Sequence, residues 1–245
     1  MLGHLIAGEE GGFKVFLLKR YARHEVSLLG LLFRIIHSRL MKYRFFRETV
    51  YWLLAYPEAR WCITGTLLAP DELAGFIKSQ GGRIAVGPCR CRSAHRSCGH
   101  PLETDIVIRS GFTVWTGLFP GEYREITALE AMELCRRCHR QGMVQVAFTH
   151  VDPGTGRNFF VICNCCADGC LPLLIMKKFG PRRYPFRKGS MRSRVDPEKC
   201  GGCAACVEIC PFQARSLRGG RACVSECFGC GLCVSHCPQD ASRLV

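Results

Sequence analysis

The order of apolar and polar residues predicts a chain that mixes helices with strands. Residues 13–62 are apolar and basic together, and their pattern predicts two helices at roughly 26–41 and 44–55. No uncharged run there reaches the about 18 residues that a membrane span requires. Aromatic residues such as Phe45 and Trp52 lie among arginines and lysines, a composition that could rest on a membrane surface. Such helices more often pack on their own domain or on a partner subunit, so the role of this region stays open.

The next stretch predicts one helix followed by strands. Pro70 introduces a short helix with one apolar face, and Gly81 ends it. A compact strand at 84–86 leads into a turn that contains cysteines. The apolar residues between 105 and 115 predict further strand structure, broken at Gly111.

A capping box marks the start of the next helix, because Thr127 is followed three residues later by Glu130. Inside this helix Cys135 and Cys138 fall on one apolar stripe with helical spacing. The C-x2-C-H string that ends at His139 also has the spacing of a metal site or a haem attachment site. The stripe favours burial of these side chains in the core.

Two strand-like stretches, 144–148 and 158–162, flank a hairpin connection at 152–156. The second stretch leads into residues 163–170, where four of eight residues are cysteines. Cysteines that are this crowded cannot each pack independently in a core. The pattern therefore indicates metal ligands.

Cysteine usage and charge indicate the compartment and the partners. The chain has 19 cysteines among 245 residues, an odd number clustered at short spacings, which suits thiolate ligation in a reducing compartment better than disulfides. The first 12 residues lack a charged segment followed by an apolar one, so a cytoplasmic location is expected. The formal net charge of +14 indicates acidic partners or an anionic surface.

The strongest chemical signal is a duplicated cysteine run near the C-terminus. Cys200, Cys203, Cys206 and Cys210 form a C-x2-C-x2-C-x3-C-P run, and Cys227, Cys230, Cys233 and Cys237 repeat it 27 positions later. A 4Fe-4S cluster needs four thiolates at tetrahedral corners, and a short loop reaches only three before its backbone meets the cluster. Structural zinc sites share the C-x2-C spacing, but four cysteines per run, the C-P ending and the duplication favour clusters.

This segment closely resembles the bacterial ferredoxins, in which the fourth cysteine of each run ligates the other cluster. The resemblance implies two 4Fe-4S clusters held in one folding unit. Carried over by position, it assigns Cys200, Cys203, Cys206 and Cys237 to cluster I, and Cys210, Cys227, Cys230 and Cys233 to cluster II.

A second cysteine-rich site is predicted upstream, because its cysteines lie at or beyond strand ends that folding can bring together. The candidate ligands are Cys89, Cys91, Cys98, Cys163, Cys165, Cys166 and Cys170. Soft thiolates suit either a third iron–sulfur cluster or a structural zinc ion. A third interpretation is a set of free or redox-active thiols, in which Arg90, Arg92 and Arg96 lower a thiol pKa.

The upstream layout is similar to that of a family of anaerobe ferredoxin-like proteins, in which an AVGPCxCR segment and an ICNCC segment precede a dicluster ferredoxin domain. The matching residues are 85–92 and 162–166, and the resemblance covers residues 80–245. The family often has a further cysteine near the position of Asp105 and another beside Cys170, where this chain has Gly169.

A basic segment separates the two cysteine-rich parts. Between Lys177 and Arg194, eight of 18 residues are Lys or Arg and none is acidic. Prolines break any helix there, and no nucleic-acid-binding motif accompanies the charge, so a solvated linker or a docking surface for an acidic redox partner is expected.

The predicted fold is α+β, with an N-terminal helical and cysteine-rich α+β domain followed by a small bacterial-type dicluster ferredoxin domain. The predicted division is an N-terminal helical apolar-basic region (1–75), a cysteine-rich metal-binding α+β domain (76–178), a basic linker (179–195) and the ferredoxin domain (196–245).

The predicted function is electron transfer, as a carrier or as a subunit of an anaerobic oxidoreductase complex. The ferredoxin segment offers no general base, nucleophile or substrate pocket, and the chain has no recognised nucleotide-binding motif. An alternative is a redox enzyme whose N-terminal metal site binds substrate while the ferredoxin clusters supply electrons. A weaker alternative is a zinc-containing nucleic-acid-binding protein.

Overall fold

The computed structural model describes residues 12–56, 63–95, 98–150, 159–180 and 186–245, and it mixes helices with strands, which confirms the α+β class. The helices are α1 (Gly12–His37), α2 (Arg44–Val50), α3 (Pro70–Gln80), α4 (Arg90–Ala94), α5 (Arg109–Leu118), α6 (Ala128–Arg140), α7 (Leu171–Phe179), α8 (Ala205–Glu208) and α9 (Leu232–Ser235). The strands are β1 (Ile63–Leu68), β2 (Ile84–Pro88), β3 (Glu103–Ile108), β4 (Arg124–Ile126), β5 (Val144–His150), β6 (Phe159–Cys165), β7 (Ser193–Val195), β8 (Arg215–Arg218), β9 (Arg221–Val224) and β10 (Ser242–Leu244).

The N-terminal part is built on a six-stranded antiparallel sheet in the order β1-β5-β6-β3-β2-β4. Successive side chains of a strand point to opposite faces. In β3, Val107 therefore joins the core that includes α1, α5 and α7, whereas Ile106 and Ile108 join the core that includes α3 and α6. Because both faces are covered by helices, the central strands β6, β3 and β2 can bury polar side chains away from water.

The N-terminal helices differ from the predicted boundaries. Helix α1 begins 14 residues before the predicted start at 26 and ends at His37, and a short 3-10 turn at Arg39–Lys42 follows it. The second predicted helix is α2 continued by a π-helical turn at Tyr51–Ala55. The longer α1 follows from a stripe of buried residues at three- and four-residue spacing: Leu18, Ala22, Glu25, Leu29, Phe33 and Ile36.

The outer face of this region carries exposed aromatic and aliphatic side chains. Phe45, Trp52 and Leu53 are exposed by 85%, 56% and 69%, whereas Val50 and Tyr51 beside them are buried in the core. None of the helices in the described ranges is long and apolar enough to cross a membrane.

The predicted strand at 105–115 is wrong in its second half. Strand β3 ends at Ile108, and α5 begins at Arg109. Gly111, Val114 and Trp115 are buried on one face of α5, a spacing of three and four that indicates a helix. Gly111 is needed because a Cβ there would lie 1.9 Å from the carbonyl oxygen of Phe160 in β6.

Several other predicted elements are confirmed. Helix α3 and strand β2 form as expected, β5 includes the predicted strand at 144–148, and β6 covers 159–162 of the other predicted strand. Residue 158 and the hairpin connection at 152–156 lie outside the described residues. The capping box of α6 forms, since Glu130 donates its backbone N–H to Thr127 Oγ1 at 3.2 Å and accepts the Thr127 N–H at 2.7 Å. Cys135, Cys138 and His139 are buried, as the apolar stripe predicts.

The duplicated cysteine runs fold into a duplicated backbone. Strand β7 pairs with β10 and β8 pairs with β9, while α8 and α9 are separated by 27 positions. Positive φ angles recur at the same offset: +71° and +81° at Gly202 and Gly229, and +64° and +83° at Ala204 and Gly231. The repeat in the sequence is therefore also a repeat in conformation.

The C-terminal segment packs directly on the N-terminal part. Arg187 donates its backbone N–H to the Gly65 carbonyl at 2.8 Å and accepts from Leu67 N at 3.0 Å, so part of the basic segment lies along the edge strand β1. Phe212 and Phe228 belong to the same buried cluster as the residues of α1 and α7. The two parts therefore share one hydrophobic core.

Candidate functional site

Two small cavities in the C-terminal segment each contain four cysteines. The first is lined by Cys200, Cys203, Cys206 and Cys237, and the second by Cys210, Cys227, Cys230 and Cys233. Each cavity thus combines three cysteines of one run with the fourth cysteine of the other. About 330 Å³ of empty space accompanies each set.

Backbone N–H groups point at several of these sulfurs. Cys200 Sγ accepts from Ala222 N at 3.3 Å, and Cys237 Sγ accepts from Ala241 N at 3.2 Å. Cys227 Sγ accepts from Gly229 N at 3.3 Å and from Ser193 N at 3.4 Å. Such bonds favour the thiolate form that an iron cluster requires.

The balance of burial and hydrogen bonding is clearest at Cys237. Partial burial alone would raise the pKa of this thiol, but backbone hydrogen bonds from Gln239, Ala241 and Ser242 together lower the pKa below its ordinary value. The fold therefore favours a thiolate at the position where the second run contributes to the first cavity.

Arg215 is a buried cation beside the second cavity, and the sequence analysis missed it. Its Nη2 donates to Cys233 Sγ at 2.9 Å and also contacts the Ser193 hydroxyl. The position 27 residues later is Ser242, so the first cavity has no matching arginine at the repeat position. The sequence feature that could have identified it is an arginine at the start of a strand, shortly after the C-x3-C-P ending of a cysteine run.

The N-terminal part contains a larger cavity between the sheet and α1. Its empty space, which includes open solvent, is about 730 Å³. It is lined by six of the seven predicted ligands: Cys89, Cys91, Cys163, Cys165, Cys166 and Cys170. Hydrogen bonds join the thiols of Cys91 and Cys170, of Cys170 and Cys165, and of Cys165 and Cys163. Strands β2 and β6, on either side of β3, therefore bring together cysteines that lie about 70 positions apart.

Cys98 is the predicted ligand that does not line this cavity. Its Sγ lies 3.6 Å from Cys166 Sγ, and Asp168 adds a carboxylate, with the three donor atoms all within 4.8 Å of one another. Cys166 also lies 3.6 Å from Arg92 Nη1. The predicted set of seven is thus divided into one large group and a smaller group that shares Cys166.

Hydrogen bonds between thiols and burial together raise the pKa values of the large group, with the thiol contact the larger cause at Cys91 and Cys165. Burial raises the pKa of Cys89 and of Cys170 well above the ordinary value, and for Cys89 it outweighs the lowering effect of Arg92. This argues against thiols activated by the neighbouring arginines. Of those arginines, Arg96 lies outside the described residues.

Charged side chains surround the cavity in an arrangement that the sequence did not reveal. Arg90 and Arg92 are both buried, and Glu25 of α1 lies 3.8 Å from Arg90 Nε while accepting a 3.2 Å bond from Trp115 Nε1. Burial and the nearby Asp105 raise the pKa of Glu25 to about 8, so this carboxyl is protonated at pH 7. Arg90 Nη2, Arg92 Nε and Asp105 Oδ1 are buried without a hydrogen-bond partner.

A polar chain of hydrogen-bonded side chains begins at the exposed Ser235 of the ferredoxin segment and continues through buried residues toward this cavity. Ser235 Oγ lies 3.0 Å from His139 Nε2, and His139 Nδ1 lies 3.0 Å from Gln145 Oε1. Gln145 Nε2 donates to Asn164 Oδ1 at 3.0 Å, and Asn164 donates to the Thr104 carbonyl at 2.8 Å. In the sequence, Asn164 lies between two of the cavity cysteines. The polar chain of hydrogen-bonded side chains therefore connects the two cysteine-rich parts.

Comparison with known families supports one of these sites directly. Residues 193–216 match the family model described as a 4Fe-4S binding domain, and this segment contains the whole first cysteine run. No curated protein matches the chain. The chain therefore contains a ferredoxin-type 4Fe-4S domain, and its general role is iron–sulfur electron transfer.

Proposed function

We propose that this protein carries electrons through two 4Fe-4S clusters, as a ferredoxin-type carrier or as an electron-transfer subunit of an oxidoreductase complex. The observation that carries the proposal is the pair of four-cysteine cavities, each completed by the fourth cysteine of the other run. Four thiolates per cavity meet the full requirement of a 4Fe-4S cluster. When bound, such clusters accept and release single electrons.

The chain's own groups prepare these cavities for an anionic cluster. Backbone N–H groups on the sulfurs of Cys200, Cys227 and Cys237 and the guanidinium of Arg215 stabilise negative charge. Stabilising the more negative reduced form raises a reduction potential. Because Arg215 lies beside the second cavity, negative charge near Cys233 is stabilised more strongly than negative charge in the first cavity.

The two cavities differ in their access to solvent, which suggests a direction for the relay. Cys203 of the first cavity is exposed, whereas Cys230 and Cys233 of the second are buried. The second cavity is lined by Phe212 and Phe228, which belong to the core shared with the N-terminal part. A partner therefore reaches the first cavity more easily, and the second faces the interior.

The partner that fits this surface is an acidic redox protein. Arg187, Lys188, Arg192 and Arg194 are exposed immediately before the first cysteine run. Exposed cations attract an acidic partner over about one Debye length, close to 8 Å at physiological salt.

A second candidate function is a redox enzyme whose substrate binds at the N-terminal cavity. The buried donors of Arg90 and Arg92 that lack partners favour it, since they could receive an anionic substrate. An electron carrier is preferred because every cysteine of the ferredoxin segment's two cavities is accounted for without a substrate.

The test is metal and sulfide analysis combined with two matched variants. Cys210→Ala should damage the cluster of Cys227, Cys230 and Cys233, and Cys237→Ala should damage the cluster of Cys200, Cys203 and Cys206. Electron paramagnetic resonance of the reduced proteins distinguishes the two clusters. Stoichiometric zinc without sulfide in these sites would refute electron transfer, and damage confined to the variant's own run would refute the crossed ligation.

A further inference from the structure

The N-terminal cavity has more thiols than the four that a tetrahedral zinc ion binds. Five of them come from the ends of two strands: Cys89 and Cys91 follow β2, and Cys163, Cys165 and Cys170 lie at or after the end of β6. The strand between them, β3, adds the buried carboxylate of Asp105. Thiols from separated strands that meet in one cavity are typical of a ligand set and not of core packing.

The spacing of these donors argues against zinc. Four thiolates bound to zinc at about 2.3 Å lie about 3.8 Å from one another. Within the described parts of the chain, the group that satisfies a comparable limit of 4.8 Å is Cys98, Cys166 and Asp168. No three donors of the large cavity satisfy it, and neither do the two ferredoxin sets. The large cavity resembles the ferredoxin cavities in lacking such a compact group of three donors, although its neighbouring thiols are hydrogen-bonded in pairs.

The charges around the cavity indicate an anionic occupant. Arg90 and Arg92 are 6% and 3% exposed, and each retains a buried nitrogen with no hydrogen-bond partner. Buried cations that lack partners are costly, and natural proteins place them beside an opposite charge. Arg90 Nη1 is paired with Glu122 Oε2 at 3.2 Å, whereas no ion pair of Arg92 is found among the described residues. Arg92 is therefore the cation that an anionic occupant would neutralise.

The cavity lies close to the second ferredoxin cavity. Phe148 lines the N-terminal cavity, and its ring centroid is 6.3 Å from that of Phe186. Phe186 is in turn 6.3 Å from Phe212, which lines the cavity of Cys210. One intervening aromatic side chain thus separates the walls of the two cysteine-lined cavities. The polar chain from Ser235 to Asn164 connects them by a second route.

We propose that the N-terminal cavity binds a third iron–sulfur cluster, which takes four of the five thiolates of Cys89, Cys91, Cys163, Cys165 and Cys170 and exchanges electrons with the cluster at Cys210. This inference rests on the proposed electron-transfer function and extends it to a three-centre relay. The step is an outer-sphere transfer of one electron: the reduced ferredoxin cluster is oxidised, the third cluster is reduced, and no bond or proton moves. The electron comes originally from the protein's redox donor.

Iron, sulfide and zinc counts on the full chain, purified and reconstituted without oxygen, test the proposal. Three 4Fe-4S clusters give about twelve iron and about twelve sulfide per chain, whereas the two ferredoxin clusters alone give about eight. Two variants remove thiols from different strands: Cys89→Ala/Cys91→Ala, and Cys163→Ala/Cys165→Ala/Cys170→Ala. Each should lose about four iron and keep about eight. Cys223→Ala, a partly exposed cysteine outside all three cavities, is the control and should keep about twelve.

A second measurement tests whether the third cluster lies close enough to the cluster at Cys210 to exchange electrons with it. In the dithionite-reduced full chain, the paramagnetic signals of the third cluster and of the cluster at Cys210 should show magnetic interaction, and this interaction should vanish in both cavity variants. Twelve iron without any interaction would overturn the relay. Eight iron in the unmodified chain, with or without zinc, would overturn the third cluster and leave the ferredoxin function intact. Absence of iron and sulfide altogether would instead overturn the proposed function.

Discussion

Ser235 Oγ lies 3.0 Å from Nε2 of His139, which joins the last helix of the ferredoxin segment to α6 of the N-terminal part. Gln145 determines the tautomer of this histidine. Its Nε2 is within 3.3 Å of the carbonyl oxygens of Cys135 and Met143, so its Oε1 faces His139 Nδ1 and accepts a hydrogen bond from the N–H there. Neutral His139 can then accept a hydrogen bond from Ser235 at Nε2.

We expect His139→Leu to lower the free energy of unfolding by about 1–3 kcal/mol at pH 8, because the buried side chain of Gln145 loses a hydrogen-bond partner. Burial lowers the pKa of His139 below its usual value. The unfolded chain therefore binds the proton first, and the stability of the unmodified protein falls as pH drops from about 6.5 toward that lowered pKa.

The His139→Leu variant lacks this titrating group. The difference in free energy of unfolding between the variant and the unmodified protein should therefore decrease over the same range of pH. Denaturant unfolding followed by circular dichroism without oxygen measures both effects. His24→Leu, at an exposed position on α1, is the matched control and should change stability by less than about 0.5 kcal/mol. A deficit that is independent of pH would contradict the assignment of a neutral His139.

Arg215→Met should make the reduction potential of the cluster at Cys233 more negative by some tens of millivolts. The guanidinium lies 2.9 Å from Cys233 Sγ and is buried, so its charge stabilises the reduced cluster with little screening. A potentiometric titration followed by electron paramagnetic resonance resolves the two clusters. The exposed Arg218 on the same strand provides the control, Arg218→Met, for which no shift is expected. Equal potentials in the two variants would show that the buried contact has no electrostatic role.

Gly111→Ala should destabilise the protein strongly, by about 3 kcal/mol or more, because the new Cβ would meet the backbone carbonyl of Phe160 at 1.9 Å. Gly75→Ala is the matched control in another helix, because the new Cβ at Gly75 would meet nothing within 4 Å. This variant should stabilise the protein by about 0.5–1 kcal/mol. Midpoints of denaturant unfolding compare the two. Similar midpoints for the two variants would show that α5 does not pack closely against β6 at Gly111.

Replacement of Arg187, Lys188, Arg192 and Arg194 by glutamine should slow electron transfer with the native partner at low salt by ten-fold or more, and flatten its salt dependence. Stopped-flow kinetics at several ionic strengths measures this. Arg182 and Arg183 of the same basic segment lie outside the described residues. Glutamine at four exposed basic positions of α1 (Lys19, Arg20, Arg23 and Arg34) is the control for net charge. A salt slope equal to that of the unmodified protein would refute the docking role.

Sequence reasoning was least reliable where tertiary contacts choose between two local conformations. Val114 and Trp115 favour strands by propensity, yet they lie in α5, because the helix buries them together with Gly111 against β6. The stripe of α1 shows the same effect. Glu25 belongs to it, although an isolated acidic residue among apolar positions predicts a solvent-exposed face.

Local patterns in the sequence were sufficient to predict the paired cysteine runs, the capping box of α6 and the mixed α+β class. These depend on short spacings, and a loop of ten or eleven residues or a helical turn has the same geometry wherever it lies. Three relationships became evident only in the folded chain: Cys98 lies apart from the group of Cys89 and Cys163, Arg215 contacts Cys233, and Phe186 lies between two cysteine-lined cavities. Those relationships depend on the strand order and on a core shared by distant segments, and no local spacing specifies which side chains a folded sheet buries together.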